Sequence, residues 1–258
     1  MPVEISNIDP VAELTKIVKN SRNMVFFGGA GVSTESGIPD FRSTDGLYKA
    51  KNEYGHSPED ILSRDFLVRH TREFFCYYKN HVVCMDAKPN GAHKGLSRLE
   101  REGKLATVIT QNIDGLHQAA GSQSVLELHG SIHRNTCLGC GRKFGLEYVC
   151  TSTDVIPCCD LCGGVVRPDV VLYNETLDDE ILQASVDCLK EADTLIVGGT
   201  SLAVYPAAGL LQYFHGSKLV VINKTGTAID TSANLVITDP IGEVFNKMME
   251  DEEQNEAL

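Results

Sequence analysis

Four short apolar runs in this 258-residue chain each stop at small or hydrogen-bonding side chains. Residues 23–27 run into the glycine loop 28–33, and 105–109 into Thr110-Gln111-Asn112-Ile113-Asp114. Residues 193–197 run into Gly198-Gly199-Thr200-Ser201, and 218–222 into Asn223. Helical spacing fills the intervals. Asp9-Pro10 opens a helix with Val11, Leu14, Ile17 and Val18 on one face. Others are predicted at 90–102, 178–191, 205–215 and 240–249, and residues 57–84 read as helical with caps at Ser57 and Ser63. Strands alternating with helices predict an α/β fold, a parallel sheet covered on both faces with ligands at the carboxyl ends of its strands. That rule gathers four polar clusters, far apart in sequence, at one edge. Residues 165–172, around Pro168, are expected as a strand of the same alternation.

The richest stretch is ITQNIDGLHQAAGSQSVLELHGSIH, residues 109–133. Gln111, Asn112 and Asp114 follow one apolar run, and His129-Gly130 follows another. Amide, carboxylate and imidazole groups crowding the ends of apolar runs suit the mouth of a cleft. An imidazole titrating near neutral pH is a natural general base for a hydroxyl, which makes His129 the candidate. His117 is expected on the helix after Asp114, and His133 on the way into a cysteine-rich insert; both read as decoys.

The glycine loop is a weaker signal. Gly29-Ala30-Gly31 after a strand lets backbone amides approach a pyrophosphate with a helix start behind them. The dinucleotide fingerprint fails, because Thr34 stands where its third glycine belongs and no acidic residue ends a strand about 20 positions on. An ordinary NAD-dehydrogenase site is therefore disfavoured. Gly199, Thr200, Ser201 and Asn223 suit ribose and phosphate oxygens, and turn chemistry explains them equally well.

Cys137-x-x-Cys140 and Cys159-x-x-Cys162 flank 18 residues, the spacing of two knuckles closing a four-thiolate zinc site. Four protein thiolates leave no seat for water, so this zinc is expected to be structural. Cys158 breaks the spacing and is left out.

Composition sets limits. Net charge is −12, against non-specific binding to nucleic acid or anionic membrane. No apolar run approaches the roughly 18 residues of a membrane span. Glu4 and Asp9 stand where a signal peptide would want basic and then apolar residues, so a cytoplasmic protein is expected. Nine cysteines there point to metal or reduced thiols before disulfides. The acidic end, residues 250–256, reads as frayed and solvated.

GAGVSTESGIPDFRS, TQNIDGLH, ELHGS, the paired CxxC motifs, CGGVVRPDVVLYNE and GTSLAVYPA resemble, in order, the signature blocks of the sirtuins, NAD-dependent protein lysine deacylases. The first block is similar to bacterial and archaeal members. The resemblance implies a Rossmann-like NAD-binding domain from residues 1–44, 85–134 and 165–258. It also implies a small domain of a helical module, 45–84, and a zinc module, 135–164. By position, Gly29, Ala30, Gly31, Thr34, Phe41 and Arg42 would line the cofactor loop. Gln111, Asn112, Ile113 and Asp114 would surround nicotinamide and its ribose. Gly199, Thr200, Ser201, Asn223, Lys224 and Ile241 would hold the adenosine half. Val170-Val171-Leu172-Tyr173-Asn174 would pair with an extended acetylated peptide by strand addition. Asn112 and Asp114 would stabilise an oxocarbenium-like centre, and His129 would be the base for a ribose hydroxyl.

Two departures stand out. Tyr173-Asn174 replaces the family's Phe-Gly. The Tyr-x-x-Arg pair of members that prefer acidic acyl chains is here Phe75-Cys76-Tyr77-Tyr78, so neutral acyl groups are expected. A monomer without nucleic-acid or membrane partners is the expectation. Mono-ADP-ribosyl transfer and a non-catalytic NAD-sensing zinc module are the competing readings.

Overall fold

The computed structural model describes residues 9–40 and 54–256, with side chains as far as Asp251. Asp9 caps α1 (Pro10–Asn20), accepting from the Val11 amide at 3.0 Å, and Val11, Leu14, Ile17 and Val18 are buried. The first strand, β1 (Met24–Gly28), is buried along its whole length. Its side chains alternate between two cores: Met24 and Phe26 in one, Val25 and Phe27 in the other. That two-sided burial is what a parallel sheet under helices requires.

The remaining strands of this sheet are β2 (Leu105–Thr110), β3 (Val125–Glu127), β7 (Thr194–Gly198), β8 (Lys218–Ile222) and β9 (Leu235–Ile237). Their order is β3-β2-β1-β7-β8-β9, every pair parallel. The chain builds outward from β1 on one side, then restarts on the other. The switch therefore lies between β1 and β7, where a crevice opens at the carboxyl ends. On one face pack α1, α5 (Gly91–Arg101) and α9 (Ile241–Glu256); on the other, α8 (Asp179–Glu191). Asn90 caps α5, and Gly103 in the left-handed region closes the turn after it.

A second, antiparallel sheet joins β4 (Gly130–Cys137), β5 (Lys143–Phe144) and β6 (Val166–Val170) in the order β5-β4-β6. Here the alternation misleads, since β6 was expected in the parallel sheet. Pro168 has no amide to donate, and the edge position of β6 accommodates it. Ile132, Val166 and Val170 pack with Ile61, Phe66, Phe74 and Tyr78 in a separate core. The boundaries expected at 134 and 165 thus fall within or beside strands of this second sheet.

Residues 57–84 form three helices, α2 (Pro58–Ile61), α3 (Arg64–Arg69) and α4 (Thr71–Tyr77), then a π-turn, Tyr78–Val82. Ser57 and Ser63 cap α2 and α3. In the zinc insert, α7 (Leu146–Thr151) was not anticipated. The helix expected at 205–215 is a 3₁₀ segment, Ala207–Tyr213, with the weak helix former Gly209 near its centre. The acidic end is helical rather than frayed: α9 runs to Glu256, with no glycine or proline after Gly242 to stop it.

Candidate active site

Gly28 pairs with Thr110 on one side and Gly198 on the other, so three loops leave the sheet side by side. No α-helix begins at the first of them. Two 3₁₀ turns, Ala30–Val32 and Thr34–Ser36, end at Gly37 with φ 83°. Gly29 donates to the Gly198 carbonyl at 3.2 Å and Gly31 to that of Gly199 at 2.8 Å. A Cβ on Gly31 would lie 2.8 Å from the Gly199 Cα. These glycines therefore serve loop-to-loop contact, and both amides are taken by carbonyls rather than turned outward to an anion.

The loop after β2 closes onto the first. The Asn112 side-chain amide donates to the Ser33 hydroxyl at 3.1 Å, and that hydroxyl donates to the Asp114 carboxylate at 2.7 Å. The other Asp114 oxygen accepts from the Leu116 amide at the start of α6 (Leu116–Ala119). Burial pushes the Asp114 carboxyl above its ordinary range against those two hydrogen bonds; Glu127 adds to the rise and His133 opposes it. Gln111 donates from its side chain to Thr200 at 3.2 Å, joining the second and third loops.

His129 follows β3 by one residue beyond Leu128, whose amide is held by the Thr110 carbonyl. Its Nδ1 lies 2.9 Å from the Gln111 carbonyl. A carbonyl only accepts, so Nδ1 carries the proton and Nε2 keeps its lone pair. Burial lowers the His129 pKa below its ordinary value, although the Gln111 contact opposes that. The neutral, base-competent imidazole is thus favoured. His133 and His117 are placed otherwise. His133 Nε2 meets the Asp114 carbonyl at 2.9 Å, and His117 is buried on α6.

On the adenosine side the picture is mixed. Thr200 Oγ1 accepts from Gln111 and from the Leu202 amide, and Ser201 is exposed. The Asn223 side chain turns back on Thr225, Lys224 is exposed, and Ile241 is buried against Gly198. Ile113 packs against the second core and accepts from the Ile132 amide through its carbonyl. Thr34 bonds the Gly31 carbonyl, and Ala30 lies between the two glycines. Phe41 and Arg42 lie outside the described residues. Two residues carry the geometry without having been singled out: Ser33, and Asn90, whose amide donates to the Val32 carbonyl and the Ser36 hydroxyl. Neither has a sequence signal of its own, because a serine in a loop and an asparagine at a helix cap are each explained locally.

Beyond β6 the chain stays extended. Val171 donates to the His129 carbonyl at 2.9 Å and Tyr173 to that of Leu62 at 3.0 Å; the Arg64 amide donates to the Tyr173 carbonyl. Arg167 and Glu175 form an ion pair at 2.7 Å. Arg167 also donates to the Val170 carbonyl, and Glu175 accepts from the Leu172 amide. Burial raises the Glu175 carboxyl, but the Arg167 and Leu172 contacts outweigh it and the net shift is downward. Asn174 adopts φ 69°, in the left-handed region that glycine favours and asparagine tolerates. Asparagine in place of glycine thus preserves the turn. Phe75 and Tyr78 are fully buried in the second core and offer no cation to a ligand.

The Sγ atoms of Cys137, Cys140, Cys159 and Cys162 lie within 4.8 Å of one another. The closest pairs are 3.4 and 3.7 Å apart, near the roughly 3.8 Å edge of a tetrahedron with Zn–S bonds of about 2.3 Å. Each knuckle is closed by a matching backbone bond, Gly141 to Cys137 and Gly163 to Cys159, both 2.9 Å. All four positions of a single ion are filled by protein. Cys158 is exposed and outside the cluster.

The model of the Sir2 family matches residues 29–206. A protein of Clostridium acetobutylicum named NAD-dependent protein deacetylase is 60% identical over 242 residues, 94% of this chain and 99% of the relative. A solved structure of Sir2 with p53 peptide and NAD+ superimposes with TM-score 0.84 at 37% identity, covering 93% of this chain and 98% of the other. Another, a Sir2 variant with deacetylated p53 peptide and 3'-O-acetyl ADP ribose, gives TM-score 0.85 at 38% identity over 93% and 98%.

Proposed function

The chain belongs to the Sir2 family, and on that premise we propose that it removes acetyl and other neutral acyl groups from protein lysines with NAD as co-substrate. The products are nicotinamide, O-acyl-ADP-ribose and free lysine. NAD is consumed rather than reduced, which agrees with the failed dehydrogenase fingerprint. The observation that carries the reading is the fixed tautomer of His129 beside the Asn112–Ser33–Asp114 chain.

In this reading the half-buried Asp114 carboxylate and the Asn112 amide face the ribose carbon as positive charge develops there, without reorganising. The acyl oxygen bonds to that carbon as nicotinamide leaves; His129 Nε2 then accepts the proton of a ribose hydroxyl, which attacks the acyl carbon, and addition of water expels the lysine amine to leave O-acyl-ADP-ribose. Ala30, Thr34, Phe41 and Arg42 line the cofactor loop, with Gly29 and Gly31 supporting it. Gln111 and Ile113 complete the nicotinamide side, and Gly199, Thr200, Ser201, Asn223, Lys224 and Ile241 the adenosine side. An extended acyl-peptide pairs with Val170–Asn174. The Val171 carbonyl and both backbone groups of Asn174 take no backbone hydrogen bond among the described residues, which supports that pairing. Zinc, held by Cys137, Cys140, Cys159 and Cys162, closes the second core and takes no part in the chemistry. We place the protein in the cytoplasm as a monomer. All nine cysteines are free, and no helix among the described residues is long and apolar enough to cross a membrane.

Incubation with NAD and acetyl-, propionyl- and succinyl-lysine forms of one peptide, resolved by mass, tests this. One O-acyl-ADP-ribose and one nicotinamide per lysine freed, with succinyl turned over least, is expected. Protein gaining the mass of ADP-ribose would instead identify a transferase, and NAD binding without turnover a sensing module.

A further inference from the structure

Five buried polar atoms without a hydrogen-bond partner among the described residues crowd one place: His93 Nε2, both ring nitrogens of His117, and the hydroxyls of Ser97 and Ser122. His93 and Ser97 lie one turn apart on α5. His117, on α6, has its ring centroid 4.7 Å from that of His93. Its carbonyl accepts from the Ser122 amide, and a Cβ on the adjacent Gly121 would come within 3.0 Å of the Ser97 hydroxyl. None of the four side chains is more than 2% exposed. Buried polar atoms are almost always paired, and five unpaired in one cluster point to a ligand that pairs them.

The chemistry of the donors narrows that ligand. The Asn90 amide donates to His93 Nδ1 at 3.3 Å, so His93 Nε2 carries the hydrogen and faces the cluster as a donor. Nε2 therefore has no lone pair to give a metal ion, and no set of three or more metal-ligating side chains gathers here among the described residues, which leaves His117 as the one ring able to ligate. Burial holds both imidazoles neutral, His93 pushed down to about 4 and His117 to about 3, so the site offers no charge to an anion. What remains is a need for an acceptor opposite His93, a donor and an acceptor opposite His117, and partners for two hydroxyls. Water supplies two donors and two acceptors and commonly occupies such sites.

The place matters. Asn90, at the head of α5, bonds the Val32 carbonyl and the Ser36 hydroxyl of the glycine loop. The first amide of α6 is bonded by the Asp114 carboxylate. The cluster therefore sits where the helices behind the two walls of the crevice meet. We propose that His93, Ser97, His117 and Ser122 enclose ordered internal water, at least two molecules, that joins α5 to α6 and so positions Asp114 against the glycine loop. The four are positioning residues, and the kinetic consequence rests on the NAD reading above.

An atomic-resolution crystal structure of the whole chain should show water density within hydrogen-bond reach of His93 Nε2 and His117. A dry cluster, or side chains turned to pair with one another, overturns the proposal. His117→Phe keeps the ring and removes both polar atoms, whereas His117→Gln retains a donor and an acceptor. The Phe variant should raise the KM for NAD on the order of tenfold and leave the peptide KM unchanged, and the Gln variant should largely restore it. An unchanged NAD KM in the Phe variant, or equal rises for NAD and peptide, overturns it. If the Phe variant does not fold, the wild-type density decides. If the wild type lacks NAD-dependent turnover, the functional reading fails, and the density still decides the water site.

Discussion

The Ser33 hydroxyl donates to the Asp114 carboxylate at 2.7 Å, joining two loops 81 residues apart in sequence. The same hydroxyl accepts from Asn112, so one side chain sets both polar groups proposed to face nicotinamide and its ribose. Ser33→Ala removes both bonds, one of them to a charge, and leaves the half-buried Asp114 with one partner fewer. The loss is about 2–3 kcal/mol of positioning and charge stabilisation, or roughly 30- to 150-fold in kcat/KM for NAD. Steady-state kinetics with NAD varied at saturating peptide measures it, and a change under twofold would show that Ser33 is a bystander.

Glu175 bears on the segment proposed to receive the other substrate. Its carboxylate ties Arg167 to the Leu172 amide and so fixes the strand proposed to receive the peptide. Glu175→Gln keeps the shape and loses the charge. The KM for peptide should rise about tenfold, equivalent to about 1.4 kcal/mol, with the KM for NAD unmoved. Equal effects on both would mean that the pair stabilises the fold without shaping the peptide site.

Metal removal tests the brace. One strand, β4, runs from Gly130 beside His129 to Cys137 in the cluster. Structural zinc contributes on the order of 10 kcal/mol, comparable with the whole stability of a domain. Chelation should therefore lower the melting temperature and abolish turnover together, and added zinc should restore both. Metal-free protein that stays folded and active would end the structural role.

The pH profile follows from two opposed shifts. As the proposed base His129 must be neutral, the form present above its pKa, and burial lowers that pKa from 6.5. Asp114 must be ionised, and burial raises its pKa from 3.8. Both groups are competent at pH above their folded values, so kcat/KM falls only on the acid side. The limb that His129 contributes to that fall should lie below 6.5. A His129 titration at or above 6.5, followed by the ring-proton NMR signal, would contradict the assignment of a base shifted by burial.

What the sequence disclosed depended on distance along the chain. The strands of the parallel sheet and the thiolate cluster were legible because each has a local signature: an apolar run, a CxxC spacing. The sheet that receives β6 was not, since Pro168 shows only that the strand lies at an edge. Nor was the use of Gly29 and Gly31, whose partners on Gly198 and Gly199 lie far downstream. Ser33 and Asn90 were missed for the same reason. Their long-range bonds appear only once the chain is folded.

The most direct measurement is product analysis with His129→Ala at saturating acetyl-peptide and NAD. The account predicts that the variant still binds NAD and peptide while formation of O-acetyl-ADP-ribose falls by at least about 100-fold, the loss of a general base. O-acetyl-ADP-ribose formed at a near-wild-type rate by His129→Ala would contradict it.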